Sequence, residues 1–187
     1  MNLKKTTFSE YLAIEPILSA DSRMAVLTIP KPRTVAGRDL PGDLNNLNLG
    51  ALLMLQQAKS GKVLHEIVAR EVVGLDVEKF YRAPAYDAIG LINWVANQLE
   101  RINKLFAGAG RTPTAQEERA GYHALNLGAF GIIDWFAQRM KITHEAATAT
   151  PWITVYKCME ADGKLEDYRR RLEKIMADEA KLKAKKR

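Results

Sequence analysis

Between Pro84 and the glycines at 108 and 110, apolar side chains recur at Ile92, Val95, Leu99, Ile102 and Phe106, three and four positions apart. Leu91, Trp94 and Leu105 widen the same stripe. Such spacing gives a helix one continuous apolar face and does not suit the two-residue alternation of a half-buried strand. It predicts a helix from Ala85 to Phe106, stopped by Gly108 and Gly110, whose face the rest of the chain has to cover.

Helical punctuation continues on both sides. Thr7-x-x-Glu10 has the form of a capping box, with Phe8, Tyr11, Leu12 and Leu18 as the side to be buried and Pro16 as the bend or end. A second short helix is expected from Asp21 to Leu27. The stretch 29–43 holds three prolines and two glycines with little periodicity and is expected to be a loop or arm, with a small hairpin near Met24 to Val35 left open. Leu49, Leu52, Leu53 and Gln56 share one helical face, Ser60-Gly61 breaks the run, and Val63, Leu64, Ile67, Val68 and Val72 make a further stripe closed by Gly74. Asp76 can cap a single turn before Pro84.

Thr114-x-x-Glu117 is a second capping box, and its helix would run through Gly121, Gly128 and Gly131. Three helical glycines cost about 1 kcal/mol each relative to alanine, which implies a break near Asn126–Gly128, a close helix crossing, or both. Ile132, Ile133, Trp135, Phe136 and Met140 follow. Thr143 caps a short turn, Thr150-Pro151-Trp152 is a helix start with proline at its first position, and Gly163 is expected to end that helix. Leu165, Tyr168, Leu172, Ile175, Met176 and Leu182 then lie at helical spacing. The expectation is an all-α, compact multi-helix bundle. Its body spans 1–163, with 29–43 as loop or arm, and 164–187 forms an amphipathic, basic C-terminal helix and tail.

At 187 residues, 47% hydrophobic and 27% charged, the chain has globular composition and is long enough to fold without disulfides or metal. Cys158 is its one cysteine, which excludes an internal bridge and fits a reducing compartment. The N-terminus turns polar after Lys4-Lys5 with no apolar core of a signal peptide, and no apolar run is long enough to cross a bilayer, so the expected location is the cytoplasm. Of the net charge of +6, the segment Lys164–Arg187 carries +5, with ten Lys and Arg against five Asp and Glu. The basic character therefore belongs to the C-terminal segment and not to the body.

Catalytic signatures fail on their spacing. His65-Glu66 and His144-Glu145 begin like a zinc-protease helix, but the second histidine position holds Ala69 and Thr148, so neither helix face offers two ligands. Cys158 flanks an apolar face, as small buried cysteines do. Gly108-Ala109-Gly110 follows a helix and lacks the Gly-Lys-Ser/Thr ending of a phosphate loop. Glu117 and Glu118 sit in a first helical turn, where they complement the macrodipole. Trp94, Trp135 and Trp152 fall on or beside core stripes. No catalytic, cofactor or metal residue is assigned, and the chain is expected to be no enzyme. Partner binding is assigned to Leu172, Ile175, Lys181, Lys183, Lys185, Lys186 and Arg187. The apolar pair would meet a protein, and the five basic residues would meet phosphates or an acidic surface.

From Leu125 to Ile175 the chain reads Leu-Asn-Leu-Gly-Ala-Phe-Gly-Ile-Ile-Asp-Trp-Phe-Ala-Gln-Arg-Met-Lys-Ile-Thr-His-Glu, then Thr-Pro-Trp, then an amphipathic helix with an Arg-rich continuation. This order, a helical unit, a capped turn and a second helix opened near a tryptophan, resembles the tail assembly chaperones of long-tailed bacteriophages. The resemblance implies a small helical protein that shields the tape measure protein and recruits tail-tube subunits in the host cytoplasm. The Pro-rich 29–43 stretch has no counterpart in that pattern. Two alternatives stay open: a structural virion or head–tail connector protein, and a helical nucleic-acid-associated protein acting through the basic tail. Homo-oligomerisation also stays open, and no membrane association is expected.

Overall fold

Thr7 opens the first helix as the sequence implies. Its hydroxyl accepts from the Glu10 amide while the Glu10 carboxylate accepts from the Thr7 amide, so each satisfies an amide the helix itself leaves free. In the computed structural model, residues 2–109, 113–125 and 127–185 are described. The chain is all-α. Ten helices and one two-residue hairpin make up the regular structure of the described residues, apart from short turns of 3₁₀ and π type. They fall into two units, Met1–Asn103 and Lys104–Arg187.

The first unit begins with α1 (Phe8–Ile14), which passes into a 3₁₀ turn at Glu15–Ile17 carrying Pro16. The next helix, α2 (Ala20–Leu27), is capped by Ser19 and buries no side chain. The Pro-rich stretch contains a hairpin, β1 (Thr34–Val35) paired antiparallel with β2 (Arg38–Asp39), whose first strand ends the region where a hairpin was left open and whose second lies past it. Then come α3 (Leu49–Gln56), α4 (Gly61–Ile67) with a π turn at Val68–Val73, and α5 (Val77–Arg82). Gly74 closes the π turn in the left-handed region, and Asp76 caps α5 as read from the sequence. On α3 burial runs almost all round: Leu49, Ala51, Leu52, Leu53 and Leu55 are buried, while Gln56, expected on the buried face, is exposed and donates to the Asn103 amide oxygen at 2.6 Å. The polar end of Gln56 finds its partner at the surface, and this helix is a core element and not a one-sided one.

The long helix α6 (Ala85–Ala109) extends three residues past the expected end, and the boundary between the units falls within it. Its apolar face centres on Ala88, Leu91, Val95 and Ile102, all at most 1% exposed. Its start is tied back to α1: Phe8 donates to the Ala83 carbonyl at 2.9 Å and Ala85 to that of Thr6 at 2.8 Å. Phe8 is thereby held 5.4 Å from Phe80 and 5.8 Å from Tyr81, ring centre to ring centre.

The 29–43 stretch is anchored against α6. Asn93 donates to the Val26 carbonyl at 2.8 Å, Lys31 stacks over the Trp94 ring at 4.1 Å and donates to the Pro41 carbonyl, and Val35 is fully buried. Gly90 makes this possible. A Cβ there would overlap the Pro30 carbonyl oxygen and lie 3.1 Å from Pro32 Cδ, a backbone atom and a ring atom that cannot swing aside. Gly90→Ala is therefore expected to destabilise the chain by about 1–3 kcal/mol by lifting the arm, even though alanine is the better helix former. Urea unfolding measures it, and a variant as stable as the parent would show that the arm yields freely.

In the second unit, α7 (Ala115–Arg119) is opened by the Thr114 capping box. The helix read through these glycines is interrupted: Gly121 (φ +85°) leads into a 3₁₀ turn at Tyr122–Ala124, and Gly128 (φ +53°) is the first residue of α8 (Gly128–Met140). The break anticipated near Asn126–Gly128 thus begins earlier, and Asn126 itself lies outside the described residues. The short α9 (His144–Ala149), capped by Thr143, precedes α10 (Trp152–Lys185). The Thr150 hydroxyl, just before α10, donates back to the Ala146 carbonyl at 2.9 Å and finishes α9. Gly163, expected as a terminator, lies inside α10. A Cβ there would sit 3.0 Å from the Ala109 carbonyl oxygen, so this glycine serves a helix crossing and leaves the helix intact. Trp152, Val155, Phe136, Ala137 and Ala147 form the core of this unit.

Candidate functional site

The interruption between α7 and α8 leaves large apolar side chains without cover. Leu125 is 71% exposed, Leu127 63% and Phe130 57%. Leu125 and Leu127, with Tyr122, Ile132, Trp135 and Met159, line a groove of about 940 Å³ that lies wholly within the second unit. Exposed apolar surface gathered in one concavity marks a binding surface more often than surface scattered singly does.

Asp162, Glu166 and Arg169 border this groove, and two ion-pair sets hold the helices that form it. Arg139 grips Asp162 with two hydrogen bonds, Nε to Oδ2 at 2.8 Å and Nη2 to Oδ1 at 3.0 Å, joining α8 to α10. Hydrogen bonding to Asp162 holds the Arg139 guanidinium above its ordinary pKa. Arg139 Nη1 also lies 3.3 Å from Cys158 Sγ, so this thiol is half-buried beside a cation and is not the enclosed apolar filler expected from its neighbours. Arg170 reaches Glu117 at 3.5 Å and Glu166 at 3.3 Å, tying α10 to the start of α7. Glu117 serves at once as capping residue and as ion-pair partner. Glu166 and Arg169 complete the rim.

The two His-Glu pairs stand apart from any cluster. Among the described residues, no group of three His, Cys, Asp or Glu is placed to hold a metal ion. His144 Nε2 lies 3.0 Å from Asp134 Oδ1, with Phe130 edge-on to the ring at 5.6 Å. His65 packs edge-on against Phe8 at 5.0 Å, and its Nδ1 is buried with no hydrogen-bond partner. Burial depresses its pKa below the ordinary 6.5, because the charged ring loses water and gains nothing. The unfolded chain therefore binds a proton first as pH falls through 6.5, and this contribution to stability is lost down to the folded pKa. His65→Phe is expected to flatten the fall in urea midpoint between about pH 7.5 and about pH 5. An unchanged slope in the variant would assign the acid sensitivity to other groups.

The residues assigned to partner binding from the sequence all belong to α10 or follow it. Leu172 (43% exposed) and Ile175 (56%) face outward, and every described residue from 171 to 184 is exposed. The segment from Lys164 to Met176, expected to dock on the body or on a partner, meets the body in its first half, where Arg170 reaches Glu117 and Leu165 borders the groove, while 171–176 is exposed. A stripe at helical spacing specifies that a face is apolar without specifying what covers it. Lys181, 3.7 Å from Asp178, and Lys183 are exposed; Lys185 is the last described helical residue, and Lys186 and Arg187 lie outside the described residues.

No family model, curated protein or solved structure matches the chain. The reading of this site therefore rests on its own geometry. Among the described residues no helix is long and apolar enough to cross a membrane. The groove residues Leu125 and Leu127 carried no functional signal in the sequence beyond the glycines that flank them. Trp135, read as core, is partly exposed in the groove wall, whereas Trp152 is fully buried as expected.

Proposed function

We propose that this chain acts without catalysis, by receiving an amphipathic helix of another protein in the groove of its second unit. The observation that carries the reading is the uncovered set Leu125, Leu127 and Trp135 beside Met159, in a concavity of about 940 Å³. A helix presenting side chains at i, i+3, i+4 and i+7 fills a groove of this kind, and rim charges such as Glu166 and Arg169 set its register. The likeness to phage tail assembly chaperones names an occupant: the tape measure protein, whose long apolar-striped helix would need shielding in the host cytoplasm until tail-tube subunits assemble around it.

The test is calorimetric titration of the full chain with a long apolar-striped helical segment of a phage tape measure protein. Micromolar or tighter binding is expected, weakened about tenfold or more in a Leu125→Asp, Leu127→Asp variant. Both leucines are exposed, so the variant keeps its fold. No binding, or equal binding by both proteins, would overturn the reading. DNA binding that falls steeply with salt and is lost on neutralising Lys181 and Lys183 would favour the nucleic-acid alternative instead.

A further inference from the structure

The exposed length of α10 carries a pattern more specific than amphipathicity. Leu165, Tyr168, Leu172, Ile175, Glu179 and Leu182 alternate at intervals of three and four, the a and d positions of three heptads. The five apolar members are 43–61% exposed, so the chain's own packing leaves the seam open. A strict seven-residue repeat is the signature of a helix that pairs with another helix of like repeat.

We infer that this face is the interface of a two-fold dimer, in which α10 pairs antiparallel with α10 of a second copy, centred between Leu172 and Ile175. The seam is complementary to itself in that direction. Leu172 meets Ile175 of the second copy, Leu165 (which also borders the groove) meets Leu182, and Tyr168 meets Glu179, where the phenol can donate to the carboxylate. The one acidic position in the seam thus faces a hydroxyl. The central flanking positions pair Arg171 with Asp178 of the second copy, and two-fold symmetry makes this contact twice. In the parallel alignment Glu179 would face Glu179 inside the seam and Lys164 would flank Arg169, so like charges meet at both levels. Within one chain Asp178 lies 3.7 Å from Lys181, an exposed pair that holds the carboxylate only weakly.

Sedimentation velocity on the full chain tests this, independently of any groove ligand. A monomer–dimer equilibrium is expected between about 1 and about 200 µM. Leu172→Asp with Ile175→Asp should give monomer across that range while leaving far-UV circular dichroism and melting unchanged, since both side chains are exposed in the single chain. Asp178→Arg should weaken the dimer about tenfold, and Arg171→Asp added to it should restore the affinity to within about threefold. A parallel pairing cannot be rescued in this way, because Arg171 would there face Met176. A chain monomeric throughout, or a dimer indifferent to the Leu172 and Ile175 changes, overturns the interface. A charge swap that fails to restore the dimer overturns the antiparallel arrangement.

Discussion

Replacing Phe8 by alanine is expected to destabilise the chain by about 3–5 kcal/mol, at the upper end of what single core truncations do. Phe8 is 1% exposed and is the ring around which Phe80, Tyr81, His65 and Tyr11 gather, with centroids between 5.0 and 6.3 Å away. Its backbone amide is also the link from α1 to the α5–α6 junction. Losing the ring leaves a cavity whose walls belong to several helices pinned by their caps, so little collapse is open to them. Urea unfolding followed by circular dichroism gives the number. A loss under about 1 kcal/mol would mean that the aromatic cluster is not the centre of the first unit.

Trp152→Ala is expected to have a comparable effect on the second unit, again about 3–5 kcal/mol. The indole is fully buried at the first turn of α10, 5.9 Å from Phe106 and 6.3 Å from Tyr156. It fills the space where α10 begins, so its loss should also loosen α10's hold on α8 through Arg139 and Asp162. Amide exchange across Trp152–Asp162 is the measurement. Rapid exchange there in the variant is expected, and unchanged protection would contradict the assignment of Trp152 as the anchor of that helix.

What was legible in the sequence is what local chemistry decides. The capping boxes at Thr7 and Thr114, the αL stop at Gly74, the caps at Asp76 and Thr143 and the stripe of α6 each involve residues within a few positions of one another. Two of the misreadings, Gly163 and Gly90, needed a distant partner. Gly163 looked like a terminator because glycine commonly ends helices, yet the Ala109 carbonyl beside it makes glycine a packing requirement there. Gly90 and the arm that lies on it were invisible, since nothing in the Pro-rich stretch tells which helix it will cross.

The candidate site was less legible than the fold for the same reason. Leu172 and Ile175 were read as partner-facing from their place in the basic C-terminal helix, but only burial separates Leu125 and Leu127 from Trp152 or Phe136. The glycines at 121 and 128 were the available clue, because a broken helix cannot bring a continuous apolar face to a core.

The proposal that a partner helix occupies the second unit's groove is tested most directly by hydrogen–deuterium exchange of the full chain, alone and mixed with a long helical segment of a phage tape measure protein. Protection is expected in 122–135 and 159–169, the segments that line the groove, with exchange in 8–82 unchanged. Protection confined to α1–α5, or none at a concentration where binding is established, would contradict it.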